Sequence, residues 1–203
     1  MVQKNTLYLV ALACLGLGFV AGVIFSAVRG GPDVQGPTAP LTTGTGDAEK
    51  TIALLNQVLA QEPQNYEAWV RLGNIHFDRG QHHQAIEAYE KALAINDGSA
   101  DVWTDLGVMY RRHGQPGKAI SSFDEASRRD PKHLTSLFNK GFVLVTDLND
   151  PAGAIEAWEK AVAINPMAAA PNGEILANLI DELRQEMAAA KKAQEQPAAP
   201  GGQ

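Results

Sequence analysis

Histidines are the side chains of this sequence whose type and clustering could do metal chemistry. His82 and His83 are adjacent, and His76 lies six residues earlier. Imidazole nitrogens bind zinc, usually together with thiolates or carboxylates at fixed spacing. Adjacent residues of a helix point about 100° apart, and no carboxylate at i+4 from a histidine belongs to a recognised metal motif. We therefore predict that these histidines hold no metal.

Catalytic motifs are also missing from the sequence. It contains no glycine-rich phosphate loop, no nucleophile elbow and no Ser/His/Asp or Cys/His set in a suitable context. The single cysteine, Cys14, lies in an apolar run, so it forms neither an intrachain disulfide nor a cysteine-rich metal site. We predict that the protein is not an enzyme and takes no cofactor or small-molecule substrate.

The charge balance argues against nucleic acid as a partner. The 203 residues include 17 Lys and Arg against 23 Asp and Glu, a formal net charge of -6. Binding to a phosphate backbone needs clustered basic residues that displace counterions. An acidic chain of this kind is predicted to bind protein rather than nucleic acid.

A repeat with a period of 34 residues organises the middle of the chain. Trp69 and Trp103 are 34 residues apart. The same spacing joins Leu72 to Leu106, Gly73 to Gly107, Gly80 to Gly114, Ala85 to Ala119, Tyr89 to Phe123, and Ala92 to Ala126. A third copy keeps this spacing at Leu137 and Gly141, but its second half, from Ala154 to Pro166, lies 35 residues after the second copy. The extra residue is predicted within 146–153, where Asp, Asn and Pro mark a turn.

This pattern of aromatic, Leu-Gly, aromatic, Ala, aromatic, Ala and a final Pro resembles the tetratricopeptide repeat. The resemblance implies an all-α fold, a right-handed solenoid of helix-turn-helix units. The small residues are expected where the two helices of a pair cross, and the aromatic residues in the wider gaps. The small residues are Gly73, Gly107, Gly141, Ala85, Ala119 and Ala154; the aromatic residues are Trp69, Tyr89, Trp103, Phe123 and Trp158.

Eight segments follow from the repeat and from the composition around it. Because a helix pair cannot bury its apolar face alone, both ends need covering helices. We predict an N-terminal anchor over 1–29, a flexible Gly/Pro/Thr linker over 30–46, a half repeat over 47–65 with its helix at Asp47–Gln61, repeats over 66–99, 100–133 and 134–168, a capping helix over 172–193, and a disordered tail over 194–203.

In tetratricopeptide proteins the first helix of each pair lines a concave groove that binds peptides, and the resemblance implies the same here. The predicted groove residues are Val70, Asn74, Phe77, Asp78, Thr104, Asp105, Val108, Arg111, Arg112, Phe138, Asn139, Phe142 and Val145. Some relatives hold a C-terminal carboxylate with a clamp of cations. At the matching places this chain has Val70, Asn74, Asp105, Thr135 and Asn139, so such a clamp is not expected, and an amphipathic or apolar-anchored peptide fits better.

The N-terminal segment predicts a transmembrane helix. Leu7 to Val28 is a run of 22 residues without charge, which as a helix spans roughly 33 Å. A cleaved signal peptide has a shorter apolar core, and the residues before Cys14 fit a lipoprotein signal poorly. The slight excess of positive charge before the run favours a cytoplasmic N-terminus, hence a single-pass protein of a bacterial inner membrane with its C-terminal domain in the periplasm.

Small residues recur every fourth position of that segment, at Cys14, Gly18, Gly22 and Ser26. Such a stripe allows two helices to approach closely in lipid. A homodimer through Gly18 and Gly22 is therefore a hypothesis.

Three functions remain open from the sequence. The first is a membrane-tethered scaffold that binds a polypeptide in the groove. The second is cytochrome c maturation, since the arrangement resembles tethered repeat subunits that present apocytochrome to the haem-attachment machinery, and the stretch Ala154–Lys160 looks like their final repeat. The third is a structural subunit that assembles with copies of itself through its own groove.

Overall fold

A computed structural model describes residues 45–195 of the chain. Within that range the structure is all-helical apart from one isolated antiparallel bridge between Ala169 and Ile175. This confirms the all-α prediction for these residues. The helices are α1 (Thr45–Gln61), α2 (Tyr66–Asp78), α3 (His82–Ile95), α4 (Ala100–Arg112), α5 (Pro116–Arg129), α6 (Leu134–Thr146), α7 (Pro151–Ile164) and α8 (Leu176–Glu195).

The described residues fall into two compact units, 45–136 and 137–195. The first unit holds α1 to α5 and the first residues of α6. The second holds the rest of α6 with α7 and α8.

Glycines bring the two helices of each pair together, as the repeat predicted. In the first unit α2 packs on α3 and α4 packs on α5. A Cβ atom added to Gly73 would lie 2.5 Å from Cε1 of Tyr89, and one added to Gly107 would lie 2.5 Å from Cε1 of Phe123. Both rings are buried. A side chain at either glycine would therefore separate the pair.

The second unit repeats this crossing with a different aromatic residue. A Cβ atom at Gly141 would collide with the indole of Trp158. The Trp158 indole N–H also donates to the carbonyl oxygen of Phe138 at 3.1 Å. The indole therefore fills the crossing and satisfies its own polar atom within the same pair.

The residues that cap the starts of α2, α4 and α6 recur with the 34-residue period. Asn65 Oδ1 accepts from the backbone N–H of Ala68 at 3.0 Å, and Ser99 Oγ accepts from that of Val102 at 3.2 Å. At the third place in this series His133 Nδ1 accepts from the backbone N–H of Ser136 at 3.3 Å. A side chain that satisfies a free N–H of the first turn stabilises the helix start.

The extra residue of the third copy lies in the turn between α6 and α7. Three residues separate α2 from α3 and α4 from α5, whereas four, 147–150, separate α6 from α7. Gly80 and Gly114 have φ of +65° and +76° in the shorter turns, and Asn149 has +52° in the longer one. Asparagine tolerates this left-handed conformation better than most residues. The position predicted for the insertion is confirmed.

Helix α1 covers the exposed end of the first repeat. Its Leu55 and Leu59 pack in a core with Ala68, Leu72 and Ala88. The helix begins at Thr45, two residues before the predicted start. On another side of α1, Leu54 is 63% and Val58 40% exposed.

Helix α8 begins later than predicted, at Leu176 instead of Asn172. A turn replaces its first residues: Asn172 Oδ1 accepts from the backbone N–H of Glu174 at 3.1 Å, and Gly173 has φ of +86°. Ile175 then pairs with Ala169 in the isolated bridge. Asparagine and glycine favour such turns over a helix start. Leu176, Ile180 and Leu183 of this helix are buried.

None of the helices between residues 45 and 195 combines the length and the apolar character that a membrane crossing requires. The predicted membrane helix at Leu7–Val28 and the Gly18/Gly22 stripe lie outside the described residues, as do most of the linker and the end of the tail.

Candidate functional site

Side chains of α2 and α4 that the helix pairs do not use form one candidate site in the first unit. The two helices contact each other directly. We call the set the first-helix face: Val70, Asn74, Phe77, Asp78, Asp105, Val108, Arg111 and Arg112. Its apolar members Val70, Phe77 and Val108 are half-buried, so part of each side chain remains available to a partner.

Asn74 links the face to the core beneath it. The buried Tyr89 donates its hydroxyl hydrogen to Asn74 Oδ1 at 2.7 Å. Burial first, and then the negative charges of Asp105 and Asp78, raise the pKa of Tyr89 well above its usual range. The phenol is therefore a neutral donor, and it fixes the orientation of the Asn74 amide on the face.

Arg112 and Phe77 form the end of the face. The guanidinium carbon of Arg112 lies 5.0 Å from the centre of the Phe77 ring. This is a cation–π contact between the last turn of α4 and the last turn of α2. The structure thus brings together two predicted groove residues from different repeats.

Asp105 and Asp78 make the face acidic. Burial, followed by the charges of Asp101 and Asp78, raises the pKa of Asp105 to about 7. Burial also raises the pKa of Asp78. Burial and the neighbouring carboxylates thus disfavour the charged form of Asp105, and burial disfavours that of Asp78.

Thr104 differs from its predicted place in the groove. It is only 4% exposed, and its hydroxyl donates to the carbonyl oxygen of Ala100 at 2.8 Å and lies 3.3 Å from His133 Nδ1. The Nε2 atom of the same His133 lies 3.0 Å from Asp101 Oδ1. Thr104 therefore stabilises α4 from its buried side and does not line the groove. The 34-residue register of Asn65, Ser99 and His133 is the signal that could have revealed this role of His133.

Besides Val145, the second unit holds the predicted residues Phe138, Asn139 and Phe142. All three are half-buried. The Phe138 ring stacks on Trp158, with centres 6.4 Å apart, and on Phe142, with centres 6.2 Å apart. Phe138 therefore takes part in the packing of its helix pair as well as lining a surface.

Val145 and Arg111 are also half-buried, while Asp78 and Arg112 are exposed.

Two models of the tetratricopeptide repeat match the sequence, one over residues 64–132 and the other over residues 104–174. Together they span the helix pairs described above. The chain belongs to the tetratricopeptide repeat family.

Solved structures agree with this tetratricopeptide assignment. A crystal structure of MamA is 24% identical, with a TM-score of 0.60 over 74% of this chain and 91% of that chain. MamA 41-end from Desulfovibrio magneticus RS-1 is 23% identical, with a TM-score of 0.56 over 62% and 71%. The first TPR of Spaghetti (RPAP3), bound to the HSP90 peptide SRMEEVD, is 18% identical, with a TM-score of 0.54 over 62% and 94%. These likenesses show the fold alone. No curated protein sequence matches the chain.

The histidines of the tetratricopeptide turns have protein partners. His76 Nδ1 lies 2.6 Å from Gln81 Oε1, and the rings of His83 and His113 meet edge to face with centres 6.0 Å apart. Across residues 45–195 no group of three or more His, Cys, Asp and Glu side chains is arranged to hold a metal ion.

Sequence reasoning missed a second depression in the first unit, with a volume of 710 Å³, lined by residues of α3, α4 and α5. Its polar side chains interact with one another. The Tyr110 hydroxyl donates to Glu90, and Lys118 Nζ lies 5.0 Å from the centre of the Tyr110 ring. Because these groups already pair within the wall, the depression offers a ligand fewer unsatisfied atoms than the first-helix face.

Proposed function

We propose that this protein is a membrane-tethered interaction scaffold that binds a polypeptide partner on the first-helix face. One observation carries the proposal. Val70, Phe77 and Val108 remain partly exposed on adjacent first helices, whereas the core places of the same repeats are fully packed. Apolar side chains on a rigid helical surface are suitable anchors for an amphipathic or extended peptide.

The acidic character of the face distinguishes it from a site for acidic peptide ends. The peptide in the Spaghetti structure, SRMEEVD, has three acidic residues near its end. Here Asp78 and Asp105 would repel such a peptide, and desolvating another carboxylate beside them is unfavourable. We propose a partner of a different chemical class.

Site-specific photocrosslinking tests this function. A photoreactive amino acid is placed at the position of Val108 in the full chain, in its native membrane, and in a matched variant at the position of Ala94, an exposed residue of α3. A polypeptide partner should crosslink from position 108 and not from position 94. Equal yields at both positions, or none at 108, would contradict the proposal.

The tether is the part of the proposal that rests on the sequence alone. The 22 uncharged residues from Leu7 to Val28 support it. The full chain should stay with the membrane pellet after alkaline carbonate extraction, and a chain lacking residues 1–29 should be released. Protease added to right-side-out cells with a permeable outer layer should digest the repeat domain if it lies in the periplasm.

Cytochrome c maturation is a narrower form of the same proposal. The resemblance of the tethered arrangement and of Ala154–Lys160 to the repeat subunits of that machinery supports it. The crosslinked partner would then be an apocytochrome or a haem-attachment subunit. A deletion strain whose haem-stained c-type cytochromes are normal would exclude this form while leaving the scaffold proposal intact.

Self-assembly is a second candidate, and the exposed Leu54 and Val58 of α1 favour it. They lie four residues apart on one side of the helix and are not covered by α2. Sedimentation of the full chain in detergent, with Leu54→Glu and Val58→Glu as the paired variant, tests this candidate. A mass that does not change with concentration in the unchanged chain would rule it out.

A further inference from the structure

We infer that the partner segment carries a lysine or arginine side chain that binds the Asp105 carboxylate, with apolar residues beside it. This inference rests on the proposed peptide-binding role of the first-helix face and names the chemistry of its partner. Three features of the first unit support it: the unpaired carboxylate of Asp105, the negative charge of neighbouring residues, and the apolar surface beside Asp105.

Asp105 is an acceptor without a donor. It has no hydrogen-bond or ion-pair partner among the residues that the structure describes. It is largely buried between α2 and α4, yet its oxygens remain in contact with solvent, because no fully enclosed side-chain oxygen of the described residues lacks a partner. A donor that enters from outside can therefore reach this carboxylate.

The charged residues that raise the pKa of Asp105 are themselves acidic. Asp78 on α2 and Asp101 on α4 act on it with negative charge, and Tyr89 on α3 contributes a neutral phenol whose hydrogen is already donated to Asn74. His133, which precedes α6, bonds to Asp101 instead. These neighbours raise the pKa of Asp105, and an added cation would relieve the same repulsion. A cationic side chain is thus the ligand group that would gain the most binding free energy from contact with Asp105.

Arg112 of α4 does not supply this charge. Arg112 lies over the Phe77 ring, and it is seven residues, roughly 10 Å along the helix, from Asp105. Arg112 also covers part of Phe77. Val108, one helical turn from Asp105 on α4, is left as the apolar surface beside it. A peptide that fits these features combines one cation with aliphatic or aromatic anchors.

Selection from a random 12-residue peptide display library tests the inference with the immobilised full chain in detergent. Selected peptides should be enriched in Lys or Arg at a fixed spacing from apolar residues. Against the Asp105→Asn variant the cationic enrichment should disappear while the apolar enrichment remains. Glu87→Gln is the matched control, since Glu87 is an exposed carboxylate of α3 outside the face. This control should leave both enrichments unchanged.

The outcomes separate this inference from the function on which it rests. If selected peptides depend on Val108, tested with Val108→Asp, but show no cationic preference, the face binds peptides and the inference is wrong. If binding is unaffected by Val108→Asp, or if no peptide is selected, both are wrong. Enrichment in Asp or Glu would also contradict the inference.

A pH titration of one selected peptide gives a second readout. Only the ionised Asp105 attracts a cation, and with a pKa of about 7 the ionised fraction rises about tenfold from pH 6 to pH 8. The affinity should increase by about the same factor over this range and lose the increase in Asp105→Asn. An affinity that is constant, or that falls with rising pH, would overturn the inference.

Discussion

The helix crossings and the first-helix face follow opposite rules within the same repeats. At the crossings the first two copies are nearly identical: Gly73 faces Tyr89 and Gly107 faces Phe123. On the face, equivalent places carry different chemistry, with Asp78 in one copy and Arg112 in the next. The crossings determine the fold and must be the same in each copy. The face is free to change, and its differences give each repeat its own binding preference.

The largest expected effect comes from Asp105, a face residue that is more deeply placed than its neighbours. Its folded pKa of about 7 lies above the unfolded value near 3.8. The folded state therefore holds a proton that the unfolded chain has released between about pH 4 and pH 7, so this group's contribution is most favourable below pH 4 and is lost as the pH rises through 7. At pH 8 Asp105→Asn should raise the free energy of unfolding by on the order of 3 kcal/mol.

Urea denaturation of the unchanged chain and of Asp105→Asn, at pH 5 and pH 8, measures this effect. The difference between the two proteins should be larger at pH 8. An equal difference at both pH values would show that Asp105 titrates normally. The Asp105 carboxylate would then destabilise the folded state no more than an ordinary surface carboxylate does.

Next in size is the overlap at a crossing. Gly107→Ala places a methyl group against the buried Phe123 ring and should lower the free energy of unfolding by about 2 kcal/mol. Gly117→Ala is the control, because nothing lies within 4 Å of a Cβ atom there. The gain in helix propensity should raise the free energy of unfolding by about 0.5 kcal/mol. Thermal unfolding should move in opposite directions for the two variants, and the same direction would break the comparison.

A smaller effect is expected where the two regions meet. Tyr89→Phe makes the first copy like the second at this place, since Phe123 is the equivalent residue. It removes the hydrogen bond to the exposed Asn74, which water can replace, so the free energy of unfolding should fall by about 1 kcal/mol. Chemical denaturation checks this value. A loss as large as that of Gly107→Ala would mean that the hydroxyl is part of the crossing itself.

The smallest effect is expected at the exposed end of the face. Arg112→Ala removes the cation above Phe77 and should lower the free energy of unfolding by about 0.5 kcal/mol. The near-ultraviolet circular dichroism of the folded protein should hardly change. A loss above 2 kcal/mol would place Arg112 in the core and would contradict the division between crossing and face.

The sequence predicted the crossings well because their signal is repeated. Gly73, Gly107 and Gly141 stand at a constant spacing, so three copies supply the same information. The aromatic residues Tyr89, Phe123 and Trp158 were predicted in the wider gaps, but they lie against these glycines. The additional residue near Asn149 was found for the same reason, as a change in that spacing. The face gave a weaker signal. A residue type alone does not tell whether the side chain is exposed, and Thr104 was placed in the groove although it is buried.

The sequence by itself determined the period, the helix pairs and the residues that cross, because these depend on side-chain size repeated at fixed intervals. Tertiary structure decided the state of Asp105, the contacts of His133 with Thr104 and Asp101, and the start of α8 at Leu176. The first two depend on atoms brought together from distant segments: carboxylates of two repeats, and an imidazole beside a buried hydroxyl. The third depends on a turn closed by the bridge between Ala169 and Ile175. Charge and burial are properties of the assembled neighbourhood, and no spacing along the chain contains them.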